Sequence, residues 1–144
     1  MLITTFLGQP TCLIILTAIV ALAHSTNMSL VLALACALGA MLINTTAKHF
    51  IHRTRPDTLY VSHMYFKSSS FPSGHAFGGA VVCGLLAYMT ATNGYGWLSA
   101  LLVAQIAVSG VSRIYLGAHY PTDVVAGWLA GGVLLWLIIG VLQP

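Results

Sequence analysis

The sequence predicts an all-α fold, an integral-membrane helical bundle with five transmembrane helices, and three observations carry that reading. Hydrophobic residues make up 58% of the 144-residue chain and charged residues only 5%, whereas a soluble domain carries about a quarter charged residues. The apolar residues gather in five runs separated by polar breaks. None of the runs alternates as a membrane strand does, which leaves the helix as the spanning form, since it satisfies its backbone polar groups internally. The length suits one domain, residues 1–144.

The first run extends from about Pro10 to Ala23, with Pro10 suited to an opening helical turn. The second extends from Met28 to Ala47, the third from just after Ser73 to Ala91, the fourth from Gly96 to Val111 and the fifth from Pro121 to Leu142. A helix needs roughly 17–25 residues to span a bilayer, so the shorter first and fourth runs are expected to end in the interface. No basic region precedes the first run, and a cleaved signal peptide is not expected. Cys12, Cys36 and Cys83 each lie in an apolar run and read as small buried hydrophobes. Gly74 with Gly78, and Gly127 with Gly131, have the spacing that allows helices to pack closely.

Only seven residues carry a formal charge: Lys48, Arg53, Arg55, Asp57, Lys67, Arg113 and Asp123. Each is informative, because a charge near a bilayer is expensive without a partner or a role. Counting crossings places them. If the second helix exits at Lys48, the third begins at Ser73 on the same side, the fourth returns there with Arg113, and the fifth starts beside it. Every charge then lands on one face of the membrane. The net charge of +3 raises nucleic acid as a partner, but no Lys/Arg-rich face or aromatic stacking motif supports it.

Three clusters meet on that face. Lys48 and Arg55 are seven residues apart, close to two helical turns, and would share a helix face if the second helix continued to Pro56. Ser73 is a good N-cap, Gly74 lets the backbone approach a ligand, and the unpaired N–H groups of that helix start point toward any bound anion, with His75 beside them. Finally, if Tyr120 caps the last helix, Pro121 opens it and Asp123 stands third, where a carboxylate reaches back toward the cap. Asp123 could then accept a hydrogen bond from one nitrogen of His119, fixing the tautomer and freeing the other nitrogen as a nucleophile. Each cluster alone also has a bland reading: interfacial snorkelling, a plain helix start, a capping Asp beside an unrelated His. Together they put three cations, Lys48, Arg55 and Arg113, around a histidine and a carboxylate, a set suited to a phosphate dianion and to phosphoryl transfer.

Lys48-x6-Arg55-Pro56, Pro72-Ser73-Gly74-His75 and Ser112-Arg113-x5-His119-x3-Asp123 stand in order and at matching spacing. In these motifs the chain resembles the type 2 phosphatidic acid phosphatase family, which shares its site with vanadium haloperoxidases, over about residues 28–142. The resemblance implies that His119 attacks phosphorus, Asp123 orients it, and His75 protonates the leaving group and then helps activate water. It implies that Lys48, Arg55, Ser73, Gly74 and Arg113 hold the phosphate, with no metal and no other cofactor. Membrane members usually have a six-helix core, and the five helices counted here lack the first. Either the core tolerates that loss, or another subunit covers the gap in a homo-oligomer, or the seam is a lipid entrance.

The expected activity is hydrolysis of a lipid phosphate monoester or diphosphate, such as phosphatidic acid, phosphatidylglycerol phosphate or a polyprenyl diphosphate. A soluble phosphate ester as substrate, phosphotransfer, or a non-catalytic role in membrane assembly are the alternatives. The intact His119, Asp123 and His75 argue against the last. His24, His49, His52 and His63 match no motif and read as interfacial or loop residues, with His49 and His52 candidates for the substrate entrance. A zinc site built from these histidines would be repelled by the neighbouring cations. The expected location is a bacterial inner membrane with the site on the outer face. The positive-inside rule favours the cytoplasm, but it is discounted because at least three of the five basic residues belong to the phosphate cluster.

Overall fold

A computed structural model of the chain describes residues 28–64 and 68–142. The first expected helix, Pro10–Ala23, lies outside the described residues, as do Cys12 and Lys67. Four long helices and one short one are described: α1 (Met28–Phe50), α2 (Leu59–Ser62), α3 (Gly74–Thr92), α4 (Gly96–Tyr115) and α5 (Pro121–Leu142). There is no strand among the described residues. By length and composition α3, α4 and most of α5 can each cross a membrane.

Helix α3 is the centre of the bundle and packs against α1, α4 and α5. Its sequence is nearly all small or apolar, so it has no polar face to turn outward, and Ala76, Ala80, Val81, Cys83 and Leu85 are all buried. Phe77, Val81 and Leu85 meet Ala40 of α1 and Ile138 of α5 in one apolar cluster. The approach of α5 is set by its glycines. A Cβ at Gly127 would lie 2.8 Å from the Ser73 carbonyl oxygen, and one at Gly131 would lie 2.7 Å from that of Phe77. The two helices therefore touch backbone to backbone, as the spacing in the sequence predicts. On the outer surface Trp97, Leu101, Leu129 and Trp136 are exposed, an arrangement suited to lipid as the surrounding solvent.

Two element boundaries differ from the expectation, and both differences shape the site. Helix α1 does not run on to Pro56 but stops at Phe50. Beyond it the backbone turns to pair with the serine run: the Ser69 hydroxyl donates to the Ile51 carbonyl, the Arg53 N–H donates to Ser69 Oγ (3.2 Å), and the Ser70 N–H donates to the Arg53 carbonyl (2.9 Å). Arg55 is thus delivered by an irregular segment, not by a second helical turn beyond Lys48. Helix α4, in contrast, continues past Val111 to Tyr115 and carries Ser112 and Arg113 in its last turns. It ends in a Schellman motif, with the Ala118 N–H on the Arg113 carbonyl (2.9 Å) and the Gly117 N–H on that of Ile114 (2.9 Å). Gly117 takes φ +63°, the left-handed conformation that this ending requires.

Candidate active site

The described charged residues gather at one end of the bundle, as crossing parity requires. Lys48 arrives in the last turn of α1, where Nζ donates to the Ser69 carbonyl (3.3 Å). Arg55 arrives on the segment between α1 and α2. Its Nε donates to the Ser68 carbonyl (2.9 Å) and its Nη1 to the Ala118 carbonyl (3.1 Å). Arg113 is buried in the last turns of α4, its Nε 3.3 Å from the Ser112 hydroxyl. Two bonds to carbonyls fix the Arg55 fork without neutralising it. Burial lowers its pKa from the ordinary value, opposed in part by Asp123. An anion placed there would offset the cost of that partly buried charge.

Ser73 occupies the N-cap of α3 but does not cap it: its side chain makes no bond to the helix start. Its N–H donates instead to the Asp123 carbonyl (3.0 Å), which ties the start of α3 to the start of α5. The Ser73 hydroxyl is fully buried and has no partner, and neither do His75 Nε2 or Asn44 Oδ1. Buried polar atoms are nearly always satisfied. Two of these orphans sit at a helix N-terminus, and the third belongs to Asn44, whose amide would lie 2.9 Å from a Cβ at Gly74. The cations facing His75 are Arg113, Lys48 and Arg55. Together these groups form a setting for an oxyanion, with backbone N–H donors on one side and guanidinium and ammonium groups on the other.

His119 follows the Schellman turn and is buried. Its Nδ1 lies 2.7 Å from the Ser70 carbonyl oxygen, and its Nε2 lies 3.3 Å from Arg55 Nη1. A carbonyl can only accept and a guanidinium can only donate. The proton is therefore on Nδ1, and the Nε2 lone pair is turned toward the cation cluster. Burial, then Arg55 and Lys48, lower the His119 pKa to about 4 against the opposing pull of the Ser70 carbonyl and Asp123. The ring is neutral near pH 7.

Asp123 stands third in α5, and its Oδ2 accepts from the Tyr120 N–H (3.0 Å), the reach back to the cap that the sequence predicts. The direct bond expected from His119 to Asp123 is not made: Nδ1 is 3.8 Å from Oδ2, beyond hydrogen-bond range. Instead the Ser70 hydroxyl donates to Oδ2 at 2.6 Å, while Arg53 Nη1 donates to Oδ1 at 2.7 Å. Sequence reasoning passed over Ser70, Arg53 and Asn44. Arg53 had a signal, since it is one of only seven charges. Ser70 was hidden in a run of three serines, and Asn44 in an apolar helix.

A cavity of about 700 Å³ opens beside the cations, lined by Lys48, His49, His52 and Arg55 among others. His49 and His52 stand at its wall. His63 is exposed and bonds within its own turn, to the Leu59 carbonyl (2.8 Å). His24 lies outside the described residues.

The family model described as the PAP2 superfamily matches residues 28–144. Phosphatidylglycerophosphatase B of Bacillus subtilis is 38% identical over 106 residues, covering 69% of this chain and 51% of the relative. Undecaprenyl-diphosphatase of Sulfolobus acidocaldarius is 28% identical over 104 residues, covering 69% of this chain and 48% of the relative. The chain thus spans about half the length of these curated relatives. Among solved structures, that of a transmembrane PAP2-type phosphatidylglycerolphosphate phosphatase from Bacillus subtilis superposes with a TM-score of 0.86 at 28% identity, covering 97% of this chain and 73% of that one.

Proposed function

The chain belongs to the PAP2 superfamily, and on that premise we propose that it is a lipid phosphatase that works through a phosphohistidine on His119. The apolar helices and the transmembrane solved relative make it an integral membrane protein. The observation that carries the reading is the tautomer of His119. Its Nδ1 proton is held by the Ser70 carbonyl, and its Nε2 lone pair faces the guanidinium of Arg55. A phosphate bound to Arg55 would bring its phosphorus in front of that lone pair.

In this reading Lys48, Arg55, Arg113 and the start of α3 at Ser73 and Gly74 hold the three non-bridging oxygens. His119 Nε2 attacks, the P–N bond forms, and the P–O bond to the leaving group breaks. His75 gives a proton to the departing oxygen. It then takes one from the water that cleaves the P–N bond and releases inorganic phosphate. Positioning and charge stabilisation supply most of the acceleration in phosphoryl transfer.

The substrates that fit are lipid phosphate monoesters and diphosphates: phosphatidic acid, phosphatidylglycerol phosphate or a polyprenyl diphosphate. Relatives named as a phosphatidylglycerophosphatase and an undecaprenyl-diphosphatase support that class. The location that suits it is a bacterial inner membrane with the site on the outer face, because the basic residues of the described face are engaged at the site and do not report orientation. Detergent-purified protein assayed on a panel of lipid phosphates, with a soluble phosphate ester as comparator, tests the reading. Lipid turnover that vanishes in His119→Ala, with radiolabelled phosphate trapped on His119 of the parent, supports it. Full activity in His119→Ala would overturn it.

A further inference from the structure

Two residues outside the cation cluster and outside the three motifs bear on how Asp123 acts. Asp123 is fully buried, and its carboxylate takes three donors: Arg53 Nη1 at 2.7 Å, the Ser70 hydroxyl at 2.6 Å and the Tyr120 N–H at 3.0 Å. None comes from His119, whose ring stands 3.8 Å away. Ser70 grips both partners, because its hydroxyl donates to Asp123 while its carbonyl accepts the His119 Nδ1 proton at 2.7 Å. Arg53 is itself fixed. Its Nη1 also donates to Thr122 Oγ1 (2.9 Å), its guanidinium lies 4.6 Å over the Tyr120 ring, and its carbonyl accepts the Ser70 N–H (2.9 Å). The Arg53 backbone thus holds Ser70, the Arg53 side chain holds Asp123, and Ser70 holds His119.

We propose that Arg53 and Ser70 are positioning residues for the nucleophile, so that Asp123 acts on His119 through Ser70 and not by direct contact. This rests on the reading of His119 as the attacking residue. The same Arg53 nitrogen serves Asp123 and Thr122, which distinguishes it from Arg55, whose Nη1 faces the His119 lone pair. The Ser70 hydroxyl is needed because a fully buried carboxylate is stable as an anion only when its oxygens are bonded.

The groups that set the charge on His119 are Arg55 from the segment after α1, Lys48 from α1, the Ser70 carbonyl and Asp123 from α5. His75 from α3 is faced in turn by Arg113 from α4 and by His119. Removing the Arg53 charge leaves Asp123 bonded to Ser70 and Tyr120 but without its counterion, so its pull on a His119 proton grows.

The test uses the full-length protein in detergent, with single-turnover phosphohistidine formation, steady-state kinetics and NMR titration of the His119 ring. Arg53→Gln is expected to lower kcat about tenfold, to change KM less than about twofold, and to raise the His119 midpoint. Arg53→Lys, which keeps the cation, is expected to recover most of kcat and the parent midpoint. Ser70→Ala is expected to slow phosphohistidine formation with KM unchanged, since the carbonyl remains but the link to Asp123 is lost. A rise in KM with kcat and midpoint unchanged in Arg53→Gln would make Arg53 a phosphate ligand and overturn the proposal. Parent-like kcat per folded molecule in Ser70→Ala would also overturn it, whether or not Arg53→Gln can be purified. His119→Ala run alongside separates the two levels. If it retains activity, the underlying reading fails; if it is inactive while both other variants behave as parent, only the positioning inference fails.

Discussion

Arg55 Nη1 stands 3.3 Å from His119 Nε2, on the side of the ring opposite the Nδ1 bond to Ser70. A cation pointed at the lone pair of this ring opposes its protonation and competes for the electron pair. It makes sense if an anion comes between the two. A phosphoryl oxygen bound to Arg55 would take over that donor and leave the lone pair facing phosphorus.

Arg55→Ala is therefore expected to reduce kcat/KM by about 100- to 1000-fold, the range seen when one preorganised oxyanion donor is lost. Arg55→Lys is expected to recover little, because a point charge cannot replace a fork that binds Ser68 and Ala118 while facing His119. Steady-state kinetics on a lipid phosphate checks both. A Lys variant with parent activity would show that charge alone is what the site needs.

The protonation of His119 gives a second prediction. Its pKa is lowered to about 4, by burial first and then by Arg55 and Lys48, so the neutral ring persists well below the ordinary histidine midpoint of about 6.5. In the ligand-free protein the ring should titrate near pH 4 by NMR, with Nε2 gaining the proton. The sign for stability follows. The folded state resists protonation more than the unfolded chain does, so there is no penalty above about pH 6.5 and a growing one as the pH falls toward the folded value. A midpoint near 6.5 would mean that the ring is solvated and the cations do not reach it.

Gly117 links fold to site. Its φ of +63° and a Cβ position only 2.5 Å from the Thr58 side chain exclude other residues without adjustment. The left-handed conformation alone costs about 1–2 kcal/mol for a residue with a Cβ. Gly117→Ala should lower the thermal midpoint, and it should also lower kcat, because Gly117 stands between the end of α4 and His119 and its carbonyl accepts from Thr58 (3.2 Å). A loss of stability with unchanged turnover per folded molecule would show that the turn is structural only.

Much of this was legible in the residues. Pro121 and Asp123 announced a helix start with a carboxylate reaching back, and that bond is made to the Tyr120 N–H. Gly127 and Gly131 announced a close crossing, which they make against α3. What failed is instructive. The spacing of Lys48 and Arg55 suggested one continuous helix, yet α1 ends at Phe50 because the backbone of 51–53 finds partners in Ser69 and Ser70. Such a long-range pairing leaves no periodic trace. Asp123 was expected to hold His119 directly, and the interposed Ser70 could not be picked from three adjacent serines. Arg53 lies two residues before Arg55, where the motif arginine masks a neighbour that the motif does not specify.

Topology gives the last prediction. Parity puts the α1–α3 connection and the end of α4 on one face, and the short turn between α3 and α4 on the other. Ser62, in α2, and Gly96, at the start of α4, are both exposed and represent the two faces. A side chain at Gly96 would meet nothing within 4 Å, so a cysteine there is tolerated. Once Cys12, Cys36 and Cys83 are replaced by Ala, Ser62→Cys and Gly96→Cys in separate variants should respond oppositely to an impermeant thiol reagent on intact cells. Equal labelling would break the crossing scheme, and with it the gathering of every charge on one side. If the split appears, its sign decides between the two compartments. Labelling of Ser62→Cys from outside would put phosphate release on the outer face, where a lipid phosphate of the outer leaflet reaches Lys48 and Arg55 without crossing the bilayer. Labelling of Gly96→Cys instead would put the site in the cytoplasm and return the basic residues to the positive-inside rule.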